Sequence, residues 1–393
     1  MLYSKNMSEL TSLECPECGE LFNHEQLQTI CLKCDSPLLC HYDLVDYADS
    51  LDKEQISSRP RGLWRWHELL PVRNHDFCLT LGEGDTALLP VPRIAAELGV
   101  GPVFVKDEGG NPTGTFKARG LAVAVSRAKE LGAKALSIPT AGNAGGALAA
   151  YAARAEMEAH VFMPADAPLV YQIEVAVHGG ELVLVDGLID EAGRQAALQT
   201  EENGWFGIST FKEPYRVEGK KTMGFELAEA FNWELPEVII YPTGGGTGLV
   251  GMWKAFSEME AMGWIGADRP RMVCVQPEGC APVVKSLEKG EPRITPWENA
   301  ETTAHGIRVP QVYADRLVLS AIRESGGTGI AVTDDEFIQA QTELAQKEGI
   351  HTCLEGAATL AGLRRMAAAG EVDPGERVVL FNTGTGLKQM SVM

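Results

Sequence analysis

Lys117 lies in the run Asn111-Pro112-Thr113-Gly114-Thr115-Phe116-Lys117-Ala118-Arg119-Gly120, after an apolar strand candidate, Val103 to Lys106, and at the mouth of a predicted helix. Burial and the positive end of a helix both disfavour an ammonium, so an amine placed there is drawn towards its nucleophilic form. Lysines that form Schiff bases need that shift. Taken singly, a first-turn lysine is more often an ordinary solvated cation. Three other segments change the balance.

Glu237 to Tyr241 is an apolar, β-branched run that feeds Pro242-Thr243-Gly244-Gly245-Gly246-Thr247-Gly248-Leu249. A glycine-rich turn opening a helix presents backbone N–H groups to a phosphate. Pro139-Thr140-Ala141-Gly142-Asn143-Ala144-Gly145-Gly146 repeats the order of strand, small-residue turn and helix, with an asparagine able to approach a flat ligand. Val378 to Phe381 is a buried-strand pattern ending in Asn382-Thr383-Gly384-Thr385-Gly386. Alone, Thr383 reads as a turn hydroxyl at a strand end.

Taken in chain order (lysine loop, asparagine loop, glycine-rich loop, Thr383 turn), the four segments resemble a pyridoxal-phosphate enzyme of the tryptophan synthase β-subunit fold, and within that group the threonine synthase family. The threonine synthase likeness rests on Leu81 to Thr86, Asn111 to Gly120 and Tyr215-Arg216-Val217-Glu218-Gly219-Lys220-Lys221-Thr222. It covers residues 60–393. The resemblance implies that Lys117 holds pyridoxal 5'-phosphate as a Schiff base and then moves protons at the substrate carbons. Gly244, Gly245, Gly246, Thr247 and Gly248 would bind the cofactor phosphate, Asn143 the ring hydroxyl, and Thr383 the pyridine nitrogen. Thr140, Ala141 and Gly142 would offer backbone donors to the substrate carboxylate. Arg216, Lys220 and Lys221 would meet a substrate phosphate, which arginine grips bidentately. For either lysine singly, a solvated helix face is an equal reading.

The reaction implied is conversion of O-phospho-L-homoserine and water to L-threonine and phosphate. Three departures lean towards a threonine or serine ammonia-lyase, which works by β-elimination. Ala118 stands where the family commonly has Asp, the asparagine loop reads Thr-Ala-Gly-Asn, and the phosphate loop lacks the usual Asn. A dinucleotide-binding protein is a further alternative, because Gly246-Thr247-Gly248-Leu249-Val250-Gly251 matches GxGxxG and precedes another strand, Arg271 to Gln276. That reading leaves Lys117 and the Asn143 loop unexplained. A zinc-ribbon interaction protein with an inactive enzyme body is a third, opposed by the intact lysine loop.

The elements that must position these residues are legible as pattern. Val103 to Lys106, Ala135 to Ile138, His160 to Met163, Leu182 to Val185 and Phe206 to Ser209 read as buried strands separated by helical stretches. Leu121, Val125, Ala128 and Leu131 recur at helical spacing. Such alternation predicts an α/β fold of two parallel or mostly parallel sheets with helices on both faces, the arrangement of fold type II pyridoxal-phosphate enzymes. The expected division is a large cofactor domain over 60–119 and 209–393, a smaller α/β domain over 120–208, and an N-terminal module over 1–45. Ser50 to Arg61 reads as a linker or surface helix, and Trp297 to Gly306 as a mobile active-site segment.

The module carries Cys15-Pro16-Glu17-Cys18 and Cys31-Leu32-Lys33-Cys34, a zinc-ribbon spacing. Four thiolates make a closed, structural site. Disulfides or free thiols are the alternative, and Cys40 is a rival ligand. Cys78, Cys274, Cys280 and Cys353 read as small core residues. The module adds nothing to the catalytic set, so its loss is expected to cost solubility or assembly more than chemistry.

The chain has 393 residues, enough for two or three domains with sizeable cores. Hydrophobic residues at 45% and charged residues at 22% are an ordinary soluble balance, and the net charge of −20 disfavours nucleic acid and anionic membrane as partners. A phosphorylated substrate then needs a local positive pocket. Met1 to Cys15 has no apolar core that would read as a secretory signal, and no run is long enough to span a membrane. A cytoplasmic homodimer is expected.

Overall fold

The computed structural model describes residues 8–48 and 51–392. Residues 1–7 of the N-terminal module and Ser50 of the expected linker lie outside the described residues. The rest of that linker contains a short helix, Lys53–Ser57, capped by the Asp52 carboxylate accepting from the Glu54 N–H.

In chain order the strands are Leu10–Glu14 (β1), Leu21–Phe22 (β2), Leu39–Tyr42 (β3), Leu88–Pro90 (β4), Val103–Asp107 (β5), Ala135–Pro139 (β6) and Glu158–Pro164 (β7). Glu181–Val185 (β8), Phe206–Gly207 (β9), Val238–Pro242 (β10), Arg271–Pro277 (β11), Gly329–Val332 (β12) and Val378–Asn382 (β13) follow. They form three sheets, ordered β2-β1-β3, β8-β7-β6-β9 and β12-β11-β10-β13-β5-β4. The first is antiparallel. The second is parallel throughout, and the third is parallel except for β4 on its edge. The expected pair of parallel or mostly parallel sheets is therefore present, and each expected strand is found within a few residues of its place.

The chain divides into two compact units. One comprises Met1–Asp85, Lys117–Gly224 and Ser257–Trp264; the other comprises Thr86–Phe116, Phe225–Phe256 and Ile265–Met393. Residues 60–85 and 209–224 thus group with the four-stranded sheet rather than with the larger sheet, unlike the expected division. The chain passes between units at the Phe116–Lys117 peptide bond.

In the first unit the central helix is Lys117–Glu130. It is buried on all sides from Ala118 to Ala128, not along one face only. Its Ala, Gly and Val residues explain why: small side chains let neighbours approach from every direction. One close approach is to the helix Arg216–Ala230. A Cβ on Gly120 would meet the Arg216 carbonyl oxygen at 2.8 Å, and a Cβ on Gly219 would overlap the Arg119 carbonyl. Arg119, itself buried, donates from Nη1 to Thr222 Oγ1 at 2.9 Å across the same contact.

In the second unit, β10, β11 and β13 bury Val238, Ile240, Val273, Val275, Val378 and Leu380 in one apolar core with Leu354, Ala357, Ala361 and Leu363 of the helix Leu354–Ala369, and Val103 and Val105 of β5 belong to the same core. These strands are apolar at nearly every position because helices cover both faces.

The Gly120–Gly219 contact makes a testable demand. Gly219→Ala adds a carbon where a backbone carbonyl already lies, and such overpacking costs about 1–3 kcal/mol. In an open helix the same change would gain about 1 kcal/mol. Urea unfolding should show a lowered midpoint for Gly219→Ala; a raised midpoint would mean that the helices do not touch there.

Candidate active site and thiol cluster

In the second unit the glycine loop, the Thr383 turn and the lysine loop leave the carboxyl ends of neighbouring strands, because β10, β13 and β5 are adjacent. Ligands of open α/β sheets bind at that edge. After β10, residues 243–246 turn and a helix begins at Thr247. Among the described residues, no protein acceptor takes the N–H groups of Gly244 to Gly248. Open donors at a helix start are what a phosphate needs. Two of the glycines have steric reasons as well. A Cβ on Gly244 would press on Val309 at 2.9 Å and the Gly306 carbonyl at 3.0 Å. Gly246 is left-handed, with φ 77°, and its Cβ would overlap Val318.

The lysine loop is sewn to the Thr383 turn. Phe116 donates its N–H to the Thr383 carbonyl at 3.0 Å, and Thr385 donates to the Gly114 carbonyl at 2.8 Å. Lys388 Nζ reaches the Thr113 carbonyl at 2.7 Å. Thr113 and Gly114 are both left-handed, at φ 59° and 65°, so the loop is sharply turned just before Phe116. Below it, Asn382 donates to Asp107 at 2.7 Å, linking the ends of β13 and β5. Cys353, read from sequence as a core residue, has its Sγ 3.6 Å from Thr383 Oγ1. Burial pushes its thiol well above the ordinary range.

The segment expected to be mobile is tied down. Trp297 donates to Pro310 at 2.9 Å, Glu301 to Gly279 at 3.1 Å, Thr302 and Thr303 to Asp334 at 2.6–2.8 Å, and Gly306 to Glu355 at 2.7 Å.

In the first unit three helices begin at expected site residues: Lys117, Asn143 and Arg216. Lys117 and Asn143 are half-buried. Thr140 Oγ1 accepts from the Gly142 N–H at 3.2 Å, shaping the turn that includes Ala141. Gly145 lets that turn sit on Val161, where a Cβ would lie 2.8 Å from a methyl group.

Arg216 is buried. Its Nη1 donates to the Ile208 carbonyl at 3.1 Å and Thr210 Oγ1 at 3.4 Å. Its Nε has no acceptor, and among the described residues no carboxylate pairs with the guanidinium. Burial lowers its pKa, and the nearby Glu213 partly opposes this. Glu213 receives the N–H groups of Tyr215 and Arg216, at 2.7 and 3.0 Å, so the helix start is already capped. Burial pushes the Glu213 carboxyl up to about 7, with Arg216 and Lys220 pulling the other way. An anion entering here would therefore meet side chains rather than this helix terminus.

The two lysines differ. Lys220 is buried against the lysine helix, with Nζ 3.2 Å from where a Gly120 Cβ would be. Lys221 is held by Glu218 at 2.6 Å and Glu258 at 2.9 Å, with its ammonium 4.1 Å from the Tyr42 ring centre.

The four N-terminal thiols converge. Sγ separations are 3.4 Å for Cys15 and Cys34, 3.7 Å for Cys18 and Cys31, and 3.8 Å for Cys18 and Cys34. A tetrahedron with zinc–sulfur bonds of about 2.3 Å has edges of about 3.8 Å, so the donor set fits a metal. Each knuckle closes on a left-handed residue, Gly19 at φ 69° and Asp35 at φ 54°. Cys40 stands apart, with its Sγ 3.8 Å from the Pro214 carbonyl.

Comparison with known proteins agrees with this geometry. A family model described as pyridoxal-phosphate dependent enzyme matches residues 79–384. Threonine synthase of Methanocaldococcus jannaschii is 35% identical over 375 residues, 95% of this chain and 92% of that protein. Threonine synthase of Methanosarcina acetivorans is 36% identical over 377 residues, 96% of this chain and 92% of that protein. Among solved structures, threonine deaminase isoform 2 of Solanum lycopersicum superposes with a TM-score of 0.67 at 23% identity, covering 76% of this chain and 79% of that one. Diaminopropionate ammonia lyase of Escherichia coli reaches a TM-score of 0.69 at 17% identity, over 80% and 87%. Both structures speak to the fold alone.

Replacing Cys18 by Ser removes one vertex of the thiol cluster. Elemental analysis of protein purified without chelator should fall from about one metal per chain to well below one. Equal metal content in the variant and the parent would exclude Cys18 as a ligand.

Proposed function

The chain belongs to the pyridoxal-phosphate-dependent enzymes, and we propose that it converts O-phospho-L-homoserine and water to L-threonine and phosphate. Arg216 carries the substrate side of this reading. It is a buried guanidinium with an open N–H and no carboxylate partner among the described residues, inside a chain of net charge −20. Such a group suits a fixed anion of substrate. An ammonia-lyase acting on threonine or serine has no phosphate to place there, and GxGxxG alone accounts for neither Arg216 nor Lys117.

Pyridoxal phosphate, when bound, supplies the electron sink for breaking bonds at the substrate's α and β carbons. Lys117 would hold it through the ε-amine and, once displaced, carry protons at those carbons. The open N–H groups of Gly244, Gly245, Gly246, Thr247 and Gly248 support a phosphate-binding role for that loop. Asn143 would donate to the ring hydroxyl oxygen. Thr383 would present a hydroxyl to the pyridine nitrogen, which suits elimination because a hydroxyl does not favour a protonated ring. Its backbone is fixed by Phe116, the residue before Lys117. Thr140, Ala141 and Gly142 would orient the substrate carboxylate. Arg216 and Lys220 would hold the substrate phosphate, whereas Lys221, neutralised by Glu218 and Glu258, takes a framework role. The four cysteines fit a structural zinc ion. As a biosynthetic enzyme the protein would act as a cytoplasmic homodimer.

Two variants test the assignment. Lys117→Ala should lose the borohydride-reducible adduct seen in the parent protein; an adduct of unchanged yield would remove Lys117 from its role. Arg216→Ala should raise KM for O-phosphohomoserine by about tenfold or more, since hydrogen bonds between charged groups contribute about 1.5–3 kcal/mol. A KM within about twofold of the parent would take the phosphate away from Arg216.

A further inference from the structure

We infer that Tyr42, in the N-terminal module, is a positioning residue for the substrate-phosphate grip. Helical geometry separates the first turns of the Arg216–Ala230 helix into distinct faces. Arg216 and Lys220 are four residues apart and share one side. Glu218 and Lys221 lie about opposite, and Gly219 and Thr222 meet the lysine helix. The side carrying Glu218 and Lys221 is gripped by the module.

Tyr42 Oη donates to Glu218 Oε2 at 2.8 Å. The same Glu218 oxygen pairs with Lys221 at 2.6 Å, and Lys221 lies over the Tyr42 ring. Tyr42 is 4% exposed, while Glu218 and Lys221 are fully buried. Water therefore offers no replacement partner if the phenol is removed. Two residues earlier, Cys40 Sγ is 3.8 Å from the Pro214 carbonyl, two residues before Arg216. One strand, β3, thus touches the arginine helix just before its start and within its first turn.

That strand is held by the part of the module that the thiols close. Leu10 pairs with Tyr42 and Leu13 with Cys40, and β1 runs directly into Cys15. The module's sheet consequently sets the height and rotation of the helix whose other side bears Arg216 and Lys220. This departs from the expectation that losing the module costs solubility or assembly more than chemistry. The inference rests on the assignment of substrate phosphate to Arg216 and Lys220.

The test uses the full-length holoenzyme and the conservative variant Tyr42→Phe, which keeps the ring and removes only the hydroxyl. KM for O-phosphohomoserine should rise about three- to tenfold with kcat within about twofold, because a lost hydrogen bond to a buried carboxylate is transmitted in part to the binding face. Calorimetric affinity for inorganic phosphate should fall by a similar factor, with the cofactor's visible absorbance unchanged. Glu218→Gln, which still accepts from Tyr42 but no longer neutralises Lys221, should shift the same two readouts. If Tyr42→Phe lowers the melting temperature but leaves KM and phosphate affinity at parent values, Tyr42 is a packing residue and the inference fails. If Arg216→Ala also leaves both at parent values, the phosphate assignment itself is wrong.

Discussion

Two glycines allow the backbones of two helices to touch, and the candidate site depends on that contact. Gly120 lies one turn into the helix that begins at Lys117, and Gly219 one turn into the helix that begins at Arg216. A side chain at Gly219 would overlap a carbonyl of the other helix, so the amine and the guanidinium start from neighbouring helix ends only while that residue stays small. The other fixed end is Phe116. Its N–H is bonded to Thr383, so the chain reaches Lys117 from a loop already anchored to the strand end that bears the Thr383 hydroxyl.

The buried charges sort by partner. Lys106 is paired with Glu226 at 2.7 Å, and Lys221 with two carboxylates. Breaking such pairs leaves an uncompensated charge, so both read as framework. Arg216 is buried to a similar degree, yet among the described residues its guanidinium bonds to a carbonyl and a hydroxyl and to no carboxylate. A protein with an excess of 20 negative charges repels a phosphorylated substrate at long range, so the attraction has to be local. On the proposed reading, a buried guanidinium with an open N–H would supply it where water screens little.

Residues close together in sequence were easy to read. Strand positions followed from apolar runs bounded by turns, and the glycine loop, the Asn143 loop and the Thr383 turn each lie at a strand end. The paired CxxC spacing located the thiol cluster, because each knuckle is a local turn. What escaped the sequence depends on contacts between distant segments. Nothing around Tyr42 signals that it donates to Glu218, 176 positions away. Lys220 and Lys221 look alike in sequence, and nothing there signals that Lys221 is paired with Glu218 and with the distant Glu258. Nothing in the sequence singles out Glu213, which is buried and receives two backbone N–H groups. The placement of residues 60–85 and 209–224 with the four-stranded sheet was hidden for the same reason: grouping follows packing, not order along the chain.

Product analysis of the unaltered enzyme separates threonine synthesis from ammonia release. Purified holoenzyme would be given O-phosphohomoserine, threonine and serine in separate reactions, with phosphate, threonine and ammonia each quantified. Equal amounts of phosphate and threonine are expected from O-phosphohomoserine, with little ammonia from any of the three. Ready release of ammonia from threonine or serine, with no phosphate formed from O-phosphohomoserine, would contradict that expectation and identify a β-eliminating ammonia-lyase built on the same fold.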